Sequence, residues 1–178
     1  METHSFVYLV SGIDPTDDTF EDRFIDAGCD DATLALMNGL VAVCFDREAP
    51  TFDAAVISAY SDILKTNVCI ERFEPDFLVS KSEIAKRAKL SRAAISNYVK
   101  GDRSADFPKP YARVTTSSPL WDWVEVSSWL YDHDFLGHED VVNAKVCRAV
   151  NHFVQQNNSA EFPSGDSLFL RKMEKASQ

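Results

Sequence analysis

The chain has 178 residues, a net charge of -10 and 45% hydrophobic residues. That length fits one domain or two small ones, and no apolar run approaches the roughly eighteen residues of a transmembrane helix. Cys29, Cys44, Cys69 and Cys147 form no CxxC pair, which argues against zinc motifs and a disulfide framework and for a reduced, cytoplasmic protein.

The opening METHSFVYLV has no cationic region before its short apolar run, so no signal peptide is expected. His4 is expected to be exposed. Phe6–Val10 reads as a strand, SGIDPTDD as a loop and Thr19–Ala27 as a helix with Phe20, Phe24 and Ile25 on one face, stopped by Gly28. Two strand-like runs follow, 32–37 and 40–45, around Asn38-Gly39, the dipeptide that suits a type I′ hairpin turn. Residues 53–64 read as a helix, with Thr51 as cap and Ala55, Ile57, Ala59, Tyr60, Ile63 and Leu64 toward the core. Val68–Phe73 is the last strand, alternating Val68, Ile70 and Arg72 against Cys69, Glu71 and Phe73. Cys44 and Cys69 read as core thiols. The order strand, helix, strand, strand, helix, strand is the ferredoxin-like βαββαβ arrangement. Its helices cover one sheet face and leave the other to solvent or a partner.

Charge divides the chain more sharply than composition does. Residues 1–76 carry 16 acidic and 4 basic side chains, residues 77–114 carry 3 and 9, and residues 115–178 carry 9 and 5. Asp14, Asp17 and Asp18 lie in one loop, followed by Glu21 and Asp22, and Asp30 and Asp31 form another acidic pair, but without the glycine and terminal glutamate of a calcium loop. They are expected to serve helix starts and solvation. No metal or other cofactor is indicated, and no nucleophile, base and orienting group can be assembled from spacing, so the chain does not read as an enzyme.

The basic island begins with Ser80-Lys81-Ser82-Glu83, a capping box. A helix over about 81–89 presents Ile84, Ala85 and Ala88 inward, and Leu90 turns back to the core. Ser91 caps a second helix over about 92–100, with Ile95 and Val99 inward, Ala94 and Tyr98 beside them, and Gly101 at its end. This is a helix-turn-helix pattern in which Lys89 takes the place of the usual turn glycine. In a major groove, Arg92, Ala93, Ser96 and Asn97 face base edges: Arg92 suits guanine, Asn97 adenine and Ala93 a thymine methyl. Lys81, Lys86, Arg87, Lys89 and Lys100 suit phosphates. After them, Phe107-Pro108-Lys109-Pro110 fixes an extended turn. Tyr111–Thr115 and Leu120–Trp123 read as the strands of a wing carrying Arg103, Lys109 and Arg113. Val124, Val126, Trp129 and Leu130 suit a helix packed on the core, and the three tryptophans read as structural.

The segments EIA at 83–85, LSRAAISNY at 90–98, FPKP at 107–110 and LWDWVEVSSWL at 120–130 together resemble the winged-helix DNA-binding domains of the MerR and excisionase-like families. The resemblance implies sequence-selective binding of double-stranded DNA in transcription, phage or mobile-element regulation. It also implies that Arg92, Ala93, Ser96 and Asn97 lie on the recognition helix and that residues 103–113 span the wing.

Asp140–Gln155 reads as a final helix, ended by the polar QQNNS, with Val142, Val146, Val150 and Phe153 in an apolar stripe. The stripe either pairs two chains or closes the small winged core. His133, His138 and His152 are too irregularly spaced for a zinc site. The expected organisation is α+β: a ferredoxin-like domain at 1–76, a winged helix-turn-helix domain at 77–135, a C-terminal helix at 136–156 and a flexible tail at 157–178. A DNA-binding transcription regulator is expected, acting as a homodimer. The alternative is an antitoxin-like module whose acidic domain binds a partner protein while the winged domain autoregulates its operon.

Overall fold

The computed structural model describes residues 1–102, 106–158 and 175. Arg103 lies outside them, as does the tail expected at 157–178, apart from residues 157, 158 and 175. The chain is mixed α+β and divides into two compact units: Met1–Pro75 with residues from Ala149 onward, and Asp76–Arg148. Among the described residues, no helix is long and apolar enough to cross a membrane.

In the first unit β1 (Glu2–Ser11), α1 (Phe20–Ala27), β2 (Ala32–Met37), β3 (Leu40–Ala49), α2 (Phe52–Lys65) and β4 (Cys69–Glu74) follow one another in the expected order. The strands form one antiparallel sheet, ordered β2-β3-β1-β4. Asn38 and Gly39 take positive φ of 53° and 83°, the backbone that a type I′ turn requires. β1 runs past the expected Phe6–Val10 because it is a central strand, held by β3 from Glu2 and by β4 to Ser11. Phe6, Tyr8 and Val10, opposite Phe45, Val43 and Val41, build the buried face. Tyr8 reconciles its hydroxyl with that burial by donating to the Val56 carbonyl at 3.0 Å.

Several expectations are corrected by this core. His4 is buried, edge-on to Phe52, because it continues the inward row of Phe6 and Tyr8. On α1 the inward residues are Phe20, Phe24 and Ala27, and Ile25 is exposed. On α2 Val56 is buried in place of Leu64, and Thr51 sits at the N-cap without a side-chain cap bond. In β4 the alternation fails: the register steps from Leu9↔Arg72 to Val10↔Ile70. The extra residue, Glu71, makes a bulge that turns both Ile70 and Phe73 inward. The buried thiols are Cys29 and Cys147, whereas Cys44 is half-buried on the other sheet face and Cys69 is exposed at the start of the edge strand.

The sheet's β4 edge is closed by side chains. Asn151 lies on the final helix, His138–Asn158. Its Nδ2 donates to the Phe73 carbonyl at 2.9 Å, and its Oδ1 accepts from the Phe73 amide at 3.1 Å. Asn158 donates to the Ile70 carbonyl at 2.9 Å. These bonds explain why the helix runs on through the polar residues expected to end it.

The second unit holds β5 (Leu78–Val79), α3 (Lys81–Arg87), α4 (Arg92–Lys100), β6 (Trp121–Asp122), α5 (Trp123–Asp132) and the first half of the final helix, α6. α6 therefore belongs to both units rather than forming the separate element expected at 136–156. Val79, Ile84, Ala85, Ala88, Ile95, Trp121, Val126 and Leu130 form the centre of this unit's core. β6 pairs with β5 and not within a wing. Asp122 caps α5 through its Oδ1, which accepts from the Val124 amide at 2.8 Å, while its Oδ2 accepts from Arg148 on α6 at 2.9 Å.

Candidate nucleic-acid interface

The basic island folds as two short helices with defined ends. The Ser80 hydroxyl accepts from the Glu83 amide at 3.3 Å, and the Glu83 carboxylate accepts from the Ser80 amide at 2.7 Å. Both halves of the capping box are thus present. After Ala88 the chain reverses at Lys89, whose φ is 54°. The Leu90 amide then bonds back to the Ala85 carbonyl at 2.9 Å. Lys89 thus takes, at a steric cost, the left-handed conformation that glycine adopts without strain. The Ser91 hydroxyl caps α4 by accepting from the Ala94 amide at 3.1 Å, and Gly101 closes it with φ 80°. Buried Ile84, Ala85 and Ala88 on one side and Ile95 on the other lock the pair together.

This packing fixes what faces water. At the start of α4, Arg92 and Ala93 are exposed, and Ser96 and Asn97 one turn later are half-buried. Residues four apart share a helix face, so Arg92 with Ser96 and Ala93 with Asn97 form one continuous surface. Lys81, Lys86, Lys89 and Lys100 are exposed around it. Arg87 is a correction: it donates to the Asp76 carbonyl at 2.9 Å and lies over the Trp123 ring, 5.2 Å from its centroid. Its guanidinium holds the start of this unit instead of standing free for phosphate.

The wing is also reduced. Tyr111–Thr115 is not a strand; a single bridge joins Ala112 and Leu120. Arg113 takes φ 53° and its carbonyl accepts from the Thr116 amide at 3.0 Å, so the chain turns where an extended strand was expected. The loop is nonetheless anchored, because the Trp121 indole donates to the Pro108 carbonyl at 3.0 Å and Phe107 packs edge-on against Trp129. Lys109, Tyr111, Arg113 and Val114 are exposed on it. Nothing in the residue pattern marks Tyr111 or Val114 as surface residues. The left-handed Arg113 that displays them leaves no composition signal.

The candidate dimer stripe is corrected by burial. Val146, Val150 and Phe153 are buried within the single chain, with Phe153 edge-on to Tyr60, and Val142 is half-buried. These side chains build the chain's own cores and offer no open face to a second copy.

The first unit contains a polar centre that periodicity did not reveal. Arg47 is buried on β3 and places all five guanidinium donors. Nε and Nη2 donate to Asp31 at 2.8 and 2.9 Å, Nη1 donates to Asp62 at 2.7 Å and Ser58 at 3.1 Å, and Nη2 also donates to the Gly28 carbonyl at 2.8 Å. Burial opposes the charge, but the bonds to Asp31 and Asp62 outweigh it and raise the pKa. The same burial, reinforced by the Asp62 carboxylate, pushes the neighbouring Cys29 thiol up to about 11. Cys29 is therefore a protonated thiol at neutral pH, not an activated nucleophile. In the acidic loop, Asp14 accepts from the Thr16 hydroxyl and amide, and Asp17 from the Thr19 amide and hydroxyl, which holds both carboxyls below their ordinary value. These carboxylates shape turns at the entry to α1. Among the described residues, no three His, Cys, Asp or Glu side chains are grouped to hold a metal ion.

No protein-family model, curated protein or solved structure matches the chain.

Proposed function

We propose that the protein is a sequence-selective double-stranded DNA-binding protein, a transcription regulator that reads a major groove with α4. The observation that carries this reading is the capped α3–turn–α4 pair, with Arg92 and Ala93 exposed at the start of the second helix and Lys81, Lys86, Lys89 and Lys100 exposed around it. Helix-turn-helix proteins present the N-terminal residues of their second helix to base edges. Arg92 and Asn97 then carry specificity through bidentate contacts to guanine and adenine, and the lysines carry phosphate contacts. Lys109 and Arg113, on the anchored loop, extend the cationic surface in the position of a wing. The resemblance of residues 78–131 to MerR and excisionase-like domains supports the same reading. In the first unit, the strand order and the βαββαβ sequence of elements support a ferredoxin-like fold.

Mobility shift of the full chain with a pool of random duplexes at low salt tests this. The expected result is a retarded complex that weakens steeply as salt rises. A chain that retards no member of the pool at low salt contradicts the reading.

A further inference from the structure

The two edges of the four-stranded sheet are built differently. β4 is covered by the amide side chains of Asn151 and Asn158, described above. β2 forms the other edge, and no described residue outside the sheet bonds the amides of Leu34 or Leu36. A two-residue turn closes on a hydrogen-bonded pair, here Met37 with Leu40. Bonding then alternates along an antiparallel strand, so Ala35 and Thr33 face β3, while Leu34 and Leu36 turn their N–H and C=O groups outward. Exposed edges are normally guarded by lysine, proline or a bulge. β2 has none of these: its sequence is ATLALM, its register with β3 is unbroken, and Leu36 and Met37 are 64% and 54% exposed.

Electrostatics selects the occupant. Residues 1–76 hold 16 acidic side chains against 4 basic ones, so most contacts between two copies of this unit set like charges together. The hairpin from Ala32 to Phe45 contains no charged residue. Along this edge the strands that would touch carry no like-charge pairs of their own. A two-fold axis through the edge also pairs the strand antiparallel with itself. We infer that β2 pairs with β2 of a second copy, joining two four-stranded sheets into one continuous sheet. The register that sets Leu34 opposite Leu36 of the second copy lets each such pair exchange both main-chain bonds.

Sedimentation equilibrium of the full chain at micromolar concentration tests the inference. The expected mass is that of two chains. Leu36→Lys, at an exposed side chain, is expected to weaken association at least tenfold while leaving the far-ultraviolet circular dichroism unchanged. Leu36→Pro, which removes an outward N–H only, is expected to give a monomer. Hydrogen exchange of the unaltered chain supplies a reading independent of any variant: protection of the Leu34 and Leu36 amides is expected to fall on dilution. A monomer mass for the unaltered chain, or protection that ignores dilution, overturns the self-pairing and leaves the edge to an extended segment of another protein. A Leu36→Lys chain that associates like the unaltered one overturns it as well.

Discussion

Arg47 in the first unit and Arg92 in the second are used in opposite ways. In the acidic unit Arg47 is buried, its five donors consumed by Asp31, Asp62, Ser58 and the Gly28 carbonyl. In the second unit Arg92 stands exposed at the first position of α4, beside a hydroxyl cap that uses no charge. The net charge of each segment does not state this difference. A cation inside a carboxylate cluster holds the fold together, whereas this one on a capped helix end stays in solvent.

The largest expected effect comes from breaking the buried side of that contrast. Arg47→Met leaves Asp31 without its cation and the Gly28 carbonyl without its donor, while Asp62 keeps its ion pair with Lys65. Removing one partner of a fully buried ion pair costs about 3–5 kcal/mol; with Asp31 30% exposed and Asp62 still paired to Lys65, a loss near the lower end and a melting temperature lower by several degrees in calorimetry are expected. An unchanged transition would mean that the cluster is ornamental. Arg92→Ala, by comparison, is expected to leave melting within about 0.5 kcal/mol of the unaltered chain.

The next effect is a pH dependence confined to the acidic unit. Cys29 has its thiol pKa raised from an ordinary value of 9.0 to about 11. The unfolded chain therefore releases this proton first. The contribution is present in full below pH 9 and is lost as pH rises through about 11, a change on the order of 2 kcal/mol. Chemical denaturation at stepped alkaline pH is expected to show a steeper loss for the unaltered chain than for Cys29→Ala. Parallel curves would remove the buried thiol from the account.

In the second unit the expected effects fall on binding. Arg92→Ala and Asn97→Ala are each expected to reduce discrimination between a selected duplex and a scrambled one by about 1–3 kcal/mol. Lys86→Ala is expected to weaken both duplexes equally and to lower the salt slope by about one phosphate contact. Competition titrations at two salt concentrations separate these behaviours. The smallest effect belongs to the turn: Lys89→Gly relieves a left-handed residue with φ 54° and is expected to stabilise by up to about 1 kcal/mol. A destabilised variant would show that Lys89 is held there by more than turn geometry.

The sequence disclosed features written in local chemistry. Asn38-Gly39, the Ser80–Glu83 capping box, the Ser91 cap and Gly101 each specify a backbone conformation through one or two residues, and each is found in the structure. Features made by distant partners stayed hidden. The bulge at Glu71 depends on where β1 pairs, and the five bonds of Arg47 join residues up to 19 positions away. Arg87 reads as one more surface cation until its contacts with Asp76 and Trp123 are seen. The stripe of Val146, Val150 and Phe153 has the periodicity of an interface, but helical periodicity marks only an apolar face and not what covers it. Among the candidate contacts, Arg92, Ala93 and the exposed lysines were legible because capping fixes the phase of α4. The wing was less so, because Arg113 breaks the strand through a φ value that no residue preference announces.

The proposal that α4 reads base edges is tested most directly by one measurement. Duplexes selected by the full chain from a random library would be titrated with the unaltered chain and with the double variant Arg92→Ala, Asn97→Ala, followed by fluorescence anisotropy at fixed salt. The account predicts recovery of a shared sequence, tight binding by the unaltered chain, and near-equal affinity of the folded double variant for selected and scrambled duplexes. Selection that yields no shared sequence, or a double variant that keeps full preference for the selected duplex, would contradict it.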